Sequence, residues 1–326
     1  MNRRRAFLAG GLSALAAPAL GADYGEAFSQ AFGGRIDPLK AHRQAMAAAR
    51  AAQSRAGRLL AGQGFKAGSV AERLRALAKD PRWLYPDDDA GRDRAVGDMN
   101  ARIAAVLPRL GATLGGLPVA TARVRRMSRA DEAAGKGGYR EPGAYYVDLK
   151  TIRERPIWTL PSVAFHEVIP GHLLQMPLQA AAAPSPERVR GAGAYFEAWA
   201  TYAEQLAADL GAYAEDPRGE IGYLQWRLFR VARIVVDTGV HAMGWSREAA
   251  IAAMTDLQGQ SIAFITTEAD VNRIIATPGK YAAEGLGALA LSAWRPRDRA
   301  RWPAYHRAVL ADGPWPFGEL QRLVGK

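Results

Sequence analysis

The 326-residue chain contains no cysteine. Disulfides and thiolate ligands are therefore excluded, and a metal ion in this protein must be held by histidine, glutamate or aspartate. The absence also leaves no residue to carry the lipid of a bacterial lipoprotein, so we expect no membrane anchor. Histidine is scarce as well, with five in the whole chain, and two of these close together are informative.

Long runs of lysine and arginine are also missing, although the formal net charge is +11. The basic residues are scattered, and the chain contains no motif for binding RNA or DNA. Scattered positive charge is typical of a solvated surface. We therefore expect no nucleic-acid partner.

The composition favours helices, because alanine, leucine and arginine are abundant and β-branched runs are rare. Helices are predicted over residues 37–60, 70–79 and 92–107, and repeatedly from residue 157 to the C-terminus. Two short segments, 119–124 and 145–149, have the pattern of strands, and the glycine-rich segment 135–143 is predicted to be a loop. We predict one mainly α domain over residues 23–326, with a small β-sheet.

The first 22 residues have the pattern of an export signal. Arg3, Arg4 and Arg5 precede an apolar run over residues 6–17, and small residues suited to signal peptidase follow it. The run is too short for a comfortable membrane span. An ordinary secretory signal and a twin-arginine signal both fit this pattern. Either predicts a periplasmic or secreted protein.

Two of the five histidines, His166 and His172, lie six residues apart in an apolar segment, and Glu167 follows the first. Imidazole is a good zinc ligand, and a carboxylate beside the metal can deprotonate a water molecule. On a regular helix, positions six apart point about 240° apart around the axis, so the two imidazoles would face away from each other. Pro170 and Gly171 fall between them and predict a bulged helix that returns both histidines to one face.

A zinc site needs a third protein ligand, and Glu197 is the candidate because it lies in an apolar, aromatic segment where an unpaired carboxylate would be costly. Glu204 follows two helical turns later on the same face. We expect Glu204 to orient a ligand histidine or to bind a substrate amine. Glu167 cannot readily bind the same ion as its neighbour His166, so we predict that it is the general base.

Asp237 and His241 are four residues apart, a spacing at which the carboxylate can orient the imidazole. His241 is thus a candidate donor to the oxyanion of a tetrahedral intermediate or to the substrate. Arginines near this pair could bind a substrate carboxylate. They are Arg227, Arg230, Arg233 and Arg273.

Four segments together resemble the bacterial family classed as domain of unknown function 885. They are residues 166–175, 197–204, 236–246 and 278–280. That family is similar in turn to gluzincin metallopeptidases of the neurolysin and dipeptidyl carboxypeptidase type, which are helical and hold zinc with two histidines and a downstream glutamate. The resemblance implies a gluzincin-like helical domain with a small sheet beside the active-site helix. It also implies that His166, His172 and Glu197 are ligands and that Glu167 is the base.

The chain departs from the family pattern at three positions. Where relatives have glutamine and tyrosine after the 278–279 Pro-Gly pair, this chain has Lys280 and Glu284, and Ile274 replaces a tyrosine that follows arginine. If a missing tyrosine polarises the scissile carbonyl in relatives, this chain must use another donor or be weakly active. The candidate donors are His241, Tyr281 and Tyr202.

From these residues we predict a Zn²⁺-dependent hydrolase that cleaves peptide bonds, with a peptide or small amide as its partner. The segment 145–149 is predicted to offer an edge strand to an extended peptide. Two alternatives stay open, namely a non-catalytic metal-binding scaffold and a zinc amidohydrolase acting on a non-peptide amide. The isolated His42 and His306 are expected at the surface.

Overall fold

The computed structural model describes residues 18–259 and 265–325, with side chains from residue 23 onward. The helices are α1 (Pro18–Phe32), α2 (Pro38–Gly62), α3 (Val70–Ala78), α4 (Asp89–Leu110), α5 (Arg129–Ala133), α6 (Leu160–Glu167), α7 (His172–Ala182), α8 (Pro186–Gly191), α9 (Tyr195–Asp209), α10 (Pro217–Met243), α11 (Arg247–Gln258), α12 (Thr267–Ala276), α13 (Lys280–Trp294), α14 (Trp302–Leu310) and α15 (Phe317–Val324). The strands are β1 (Arg123–Arg126), β2 (Tyr139–Glu141) and β3 (Ala144–Val147).

The mainly helical fold with a small sheet is confirmed, and so are the helices predicted from residues 37, 70 and 92. Most of the predicted export signal, residues 1–17, lies outside the described residues. Among the helices that are described, none is both long and apolar enough to cross a membrane.

Helix α10 is the centre of the molecule. It has buried residues on all sides over most of its length, the pattern of a helix that neighbours surround. The helices that pack against it include α1, α2, α6, α9, α11, α12 and α13. Side chains of α10 therefore contact neighbouring helices on several sides of the interior.

Helix α2 shows how the composition produces this packing. Asp37 caps its first turn by accepting hydrogen bonds from the backbone N–H groups of Leu39 and Lys40, as an N-cap aspartate should. Its buried stripe recurs every three to four residues and consists almost entirely of alanine. Small side chains allow α2 to approach α10 closely. The alanine-rich composition thus supports close helix packing as well as helix formation.

The sheet has the strand order β1-β3-β2. β3 pairs in parallel with β1 and antiparallel with β2. The outer edge of β1 is covered by Asn100 of α4, whose side chain donates to the carbonyl of Val124 and accepts from its N–H. The edge that remains is β2.

Three expectations about the sheet differ from the structure. The segment 145–149 contributes the central strand, so it offers no free edge to a peptide, and β2 lies within the segment predicted to be a loop. β2 is three residues long and flanked by glycines, so its local pattern is too short to indicate a strand. The first strand also begins four residues later than the pattern at 119 predicts.

Candidate metal centre

The prediction of a single bulged helix through the histidine motif is wrong. Helix α6 ends at Glu167 and helix α7 begins at His172. The four residues between them form a tight turn in which the Ile169–Pro170 peptide bond is cis. The N–H of Leu173 donates to the carbonyl of Val168 across this turn. The turn achieves what the bulge was expected to do, because it brings the two imidazole rings together.

Gly171 makes this turn possible. A Cβ atom at position 171 would lie 1.8 Å from the carbonyl oxygen of His166 and 2.5 Å from that of Phe165. No side chain fits at such a distance, so only glycine lets the start of α7 fold back onto the end of α6. The Pro-Gly pair therefore fixes the relative position of His166 and His172.

The two histidines meet Glu197 from α9. The Nε2 atoms of His166 and His172 each lie 3.3 Å from a carboxylate oxygen of Glu197, and one ligand atom from each residue falls within 4.8 Å of the others. Atoms bonded to zinc at about 2.0–2.1 Å in a tetrahedron are roughly 3.3–3.4 Å apart. The three predicted ligands are thus brought together at a spacing that suits a metal ion.

Glu204 fixes the orientation of His166. Its carboxylate lies 2.8 Å from Nδ1 of His166 and accepts a 2.5 Å hydrogen bond from the hydroxyl of Ser162. An imidazole that donates from Nδ1 keeps Nε2 as the atom with a free lone pair, which is how histidine ligands are commonly held. Glu197 and Glu204 are two turns apart on α9, and they contact opposite nitrogens of the His166 ring. This agrees with the shared helical face that their spacing predicted.

The surroundings of His172 fit the same purpose. Its buried Nε2 atom lies 3.3 Å from a carboxylate oxygen of Glu197 without a well-formed hydrogen bond to any group in the described part of the chain, an arrangement that leaves the nitrogen free for another group. Burial lowers the pKa of His172, so the imidazole is neutral, the form that binds a metal. A buried, neutral imidazole nitrogen that faces a carboxylate without a well-formed hydrogen bond is the strongest sign that these residues fit a cation.

The protonation states of His166 and Glu197 depend on each other. Burial and Arg230 lower the pKa of His166, but hydrogen bonds with Glu197 and Glu204 outweigh them and raise it to about 9. Burial disfavours the ionised form of Glu197, yet the two histidines and Arg230 hold the pKa of its carboxyl well below the usual value. A divalent cation bound here would compete with the proton on His166.

Arg230 of α10 completes the cluster. Its guanidinium lies 3.2 Å from Nε2 of His166 and 3.4 Å from the carboxylate of Glu197. The side chain is largely buried. A fixed positive charge at this point can stabilise negative charge that develops beside the three ligands, and it can also oppose the binding of a cation.

Glu167 lines the cavity that opens above the cluster, which has a volume of about 640 Å³, the usual range for a small-molecule site. Its carboxylate forms an ion pair with Arg140 of β2. The edge strand of the sheet therefore meets the end of α6 at the predicted general base. This confirms that the sheet lies beside the helix that carries the motif.

The far wall of the cavity is formed by α10, α12 and α13, and it contains Arg273 and Tyr281 as predicted. Arg233 of α10 is bound by Asp270 through hydrogen bonds of 2.8 and 2.6 Å, and it lies over the ring of Tyr281. Glu284, which stands at a family tyrosine position, also faces this cavity. Burial and the charge of Glu197 raise its pKa to about 7.

Asp237 and His241 do not reach this cavity. Asp237 accepts hydrogen bonds from the backbone N–H groups of Gly279 and Ala282 at the start of α13, and its nearest oxygen is 3.9 Å from His241. His241 instead stacks on Tyr24 of α1 and contacts the carbonyl of Ile274. The expected catalytic pair therefore ties α10 to its neighbours.

Tyr202 and the two isolated histidines are also placed differently from the expectation. The hydroxyl of Tyr202 contacts His306 at 2.7 Å in the interior, away from the cavity. His306 is fully buried, and His42 is half-buried with its Nδ1 2.8 Å from Thr238. Placing both histidines at the surface was wrong, since each satisfies a polar group of a distant segment.

Several residues of the site were missed in the sequence. Ser162 precedes His166 by one helical turn, a spacing that could have indicated a shared partner. Arg140 carried no signal, because its partner Glu167 is 27 residues away and its strand was not recognised. Tyr145, Arg155 and Trp226 also line the cavity.

The fold and site define a class: a mainly helical protein whose interior brings two imidazoles and a carboxylate within ligand distance below an open cavity. The chain belongs to the family of bacterial proteins of unknown function DUF885, whose model matches residues 2–324. No curated protein matches the chain.

Two solved structures have the same fold. One is described as a "putative lipoprotein" from Colwellia psychrerythraea and shares 32% sequence identity with this chain at a TM-score of 0.83. The matched region covers 93% of this chain and 54% of that protein. The other is described as a "putative lipoprotein of unknown function" from Shewanella oneidensis and shares 19% sequence identity at a TM-score of 0.73. Here the matched region covers 94% of this chain and 59% of that protein. The chain thus spans little more than half the length of either protein. Neither description names a metal or a reaction.

Proposed function

We propose that this protein is a zinc-dependent hydrolase that cleaves peptide bonds. The observation that supports this function best is the convergence of His166, His172 and Glu197 on one point at the floor of a cavity that Glu167 also lines. Two imidazoles and one carboxylate are a ligand set of zinc hydrolases that leaves a position for water. The buried Nε2 atom of His172, which faces Glu197 without a well-formed hydrogen bond, supports the same conclusion.

The roles of the chain's own residues follow from their positions. A zinc ion would supply a Lewis acid that polarises a carbonyl group and makes water more acidic. Glu167 accepts the proton of the attacking water and returns it to the leaving amine. Arg230 donates to the oxygen on which negative charge develops. The sequence pointed to His241 for this role, but His241 does not reach the cavity. Glu204 keeps His166 in the required tautomer.

The substrate site and cellular location belong to the same proposal. An extended peptide would lie along β2, the edge strand that carries Arg140, where backbone hydrogen bonds can add a strand. The positive and apolar pattern of residues 1–22 supports export to the periplasm or the medium. A gluzincin-like ancestry is consistent with the ligand order His166, His172, Glu197 along the chain.

A peptide-library assay with mass analysis of the products tests this proposal. We expect cleavage by the zinc-loaded wild type and its loss when a chelator is added. Glu167→Gln should reduce turnover about 10²–10⁴-fold without loss of zinc, because Glu167 is not a ligand. Glu215→Gln, at an exposed glutamate that does not line the cavity, is the matched control and should keep full activity. Full turnover by Glu167→Gln would refute the assigned base.

The same site could act on a non-peptide amide, because the hydrolytic steps are identical. Including acylated amines and cell-wall amides in the library separates the two readings. Cleavage confined to those compounds would make the protein an amidohydrolase and leave the roles of His166, His172, Glu197 and Glu167 unchanged.

A non-catalytic scaffold is the second candidate, and the position of Arg230 favours it. A guanidinium 3.2 Å from Nε2 of His166 and 3.4 Å from Glu197 can neutralise the cluster without a metal. In that case purified wild type would contain no zinc and Arg230→Gln would gain affinity for it. If Arg230 is catalytic, the wild type binds zinc and Arg230→Gln loses about 10²–10³-fold in turnover.

A further inference from the structure

The cavity above the candidate metal centre carries a small excess of positive charge. Among the described residues that line it, cationic side chains outnumber carboxylates by five to four. The cations are Arg155, Arg230, Arg233, Arg273 and Lys280. Two of the carboxylates, Glu197 and Glu204, are already occupied by the histidines. A cleft with this balance attracts anions.

The cations differ in what they already bind. Arg233 is almost fully buried and bound on two sides by Asp270, so its charge is satisfied. Arg230 contacts the ligand cluster itself. Arg273 and Lys280 are exposed at the wall formed by α12 and α13, and no described carboxylate lies within 4 Å of either. These two charges are available to a ligand.

The wall around these two residues is held in place. Asp270 fixes Arg233, whose guanidinium lies 4.6 Å from the ring centre of Tyr281, and the ammonium of Lys280 lies 5.4 Å from the same ring. Gly285 brings α13 close to α10, since a Cβ atom there would lie 2.9 Å from the carbonyl oxygen of Arg230. The cationic wall and the candidate metal centre are therefore joined by the close packing of α13 on α10, and both line one cavity.

We propose that Arg273 and Lys280 bind a carboxylate of the substrate, so that the protein selects peptides bearing either a free C-terminal carboxylate or an acidic side chain. Arginine offers paired N–H donors that match a carboxylate, and lysine adds a point charge. This inference deepens the proposed hydrolase function and rests on it for the identity of the ligand as a peptide. Binding itself requires neither zinc nor turnover.

Affinity selection of peptides tests the inference separately from catalysis. Glu167→Gln protein, with and without chelator, is mixed with three N-acetylated random hexapeptide libraries, and bound peptides are identified by mass spectrometry after size-exclusion chromatography. One library has a free carboxyl terminus and no acidic residue. The second is amidated without acidic residues, and the third is amidated with one aspartate or glutamate.

We expect one of the two carboxylate-bearing libraries to be retained about tenfold more than the neutral amidated library. Retention of the first identifies a C-terminal carboxylate, and retention of the third identifies an acidic side chain. Lys280→Gln and Arg273→Gln should each reduce the preference about threefold, and the double variant should abolish it. Arg227→Gln is the matched control, because Arg227 is an arginine of α10 that binds Gln205 and faces a different cavity.

Equal retention of all three libraries, no retention of any, or an unchanged preference in the double variant would overturn the inference. Both substituted side chains are exposed, and thermal melting of each variant confirms that the fold is intact. A carboxylate preference that persists in the chelated protein, together with absent turnover in the wild type, would contradict the hydrolase proposal alone. The two failures are therefore distinguishable.

Discussion

Two places in this protein put a histidine beside a carboxylate, and they have opposite roles. At the candidate metal centre, His166 lies between Glu204 and Glu197, and both acids direct their oxygens at its ring. On α10, Asp237 and His241 are four residues apart, yet the carboxylate contacts backbone N–H groups of another helix. The first arrangement can hold a cation, whereas the second joins two helices.

The difference arises from the donors that compete for each acid. Asp237 faces the first turn of α13, where N–H groups without helical partners are strong donors for a carboxylate. Glu197 and Glu204 instead face side-chain donors, namely the rings of His166 and His172 and the hydroxyl of Ser162. Spacing along one helix gives the distance between two side chains, but the choice of partner depends on what packs opposite them.

The largest expected effect comes from removing a ligand. Wild-type protein should contain about one zinc ion per chain, and His166→Ala or His172→Ala should reduce the zinc content to background, because two remaining ligands bind weakly. His241→Ala is the matched control, and it should keep the full zinc content. Metal analysis by mass spectrometry of the purified proteins measures all three. Full zinc content in both ligand variants would remove the distinction between the two regions.

Replacing Asp237 should affect stability and leave metal binding intact. Asp237→Ala leaves the buried N–H groups of Gly279 and Ala282 without acceptors, and we expect a loss of about 2–4 kcal/mol in the free energy of unfolding. Asp298→Ala removes a comparable but exposed cap at Ala300 and should cost about 1 kcal/mol. Chemical denaturation measures both. If Asp237→Ala instead lost zinc at unchanged stability, Asp237 would belong to the site.

Much of the metal centre could be predicted because its signals are local. His166, Glu167 and His172 are close in sequence, and Glu197 and Glu204 share one helical face, so periodicity and chemistry sufficed to group them. The bulge predicted between α6 and α7 was wrong, because both a bulge and a chain reversal satisfy the Pro-Gly signal. What distinguishes them is the packing of Gly171 on the carbonyl of His166, a contact that the sequence does not state.

The parts that could not be predicted depend on partners far along the chain. Arg230 and Arg140 reach the site from α10 and β2, and nothing local to either residue marks it. The order of the strands likewise depends on Asn100, which covers one edge of β1 from α4. Helices were predictable because their hydrogen bonds are internal, whereas a three-residue strand exists only through its neighbour.

The two regions should also respond differently to pH. Burial raises the pKa of Asp237 to about 7, although the N–H groups of Gly279 and Ala282 oppose the shift. The folded protein then holds this proton at pH values where the unfolded chain has released it. The stabilisation is complete below the unfolded pKa near 4 and is lost as pH rises through 7. Between pH 5 and 8 this carboxyl should lower the unfolding free energy by roughly 2–3 kcal/mol. Asp237→Asn should lack this component in paired denaturation curves, and identical slopes for both proteins would contradict the assignment.

The smallest expected effect concerns the carboxylate that orients His166. Glu204→Gln keeps an acceptor for Nδ1 but removes the charge that makes the imidazole a stronger ligand, so zinc affinity should fall about 10–100-fold. Glu284→Gln changes another buried glutamate of the same cavity and should alter the affinity much less, because no ligand hydrogen-bonds to Glu284. Competition with a fluorescent chelator measures both dissociation constants. Equal changes in the two variants would mean that Glu204 acts only through general charge, and its role would then resemble that of Asp237 in supporting packing.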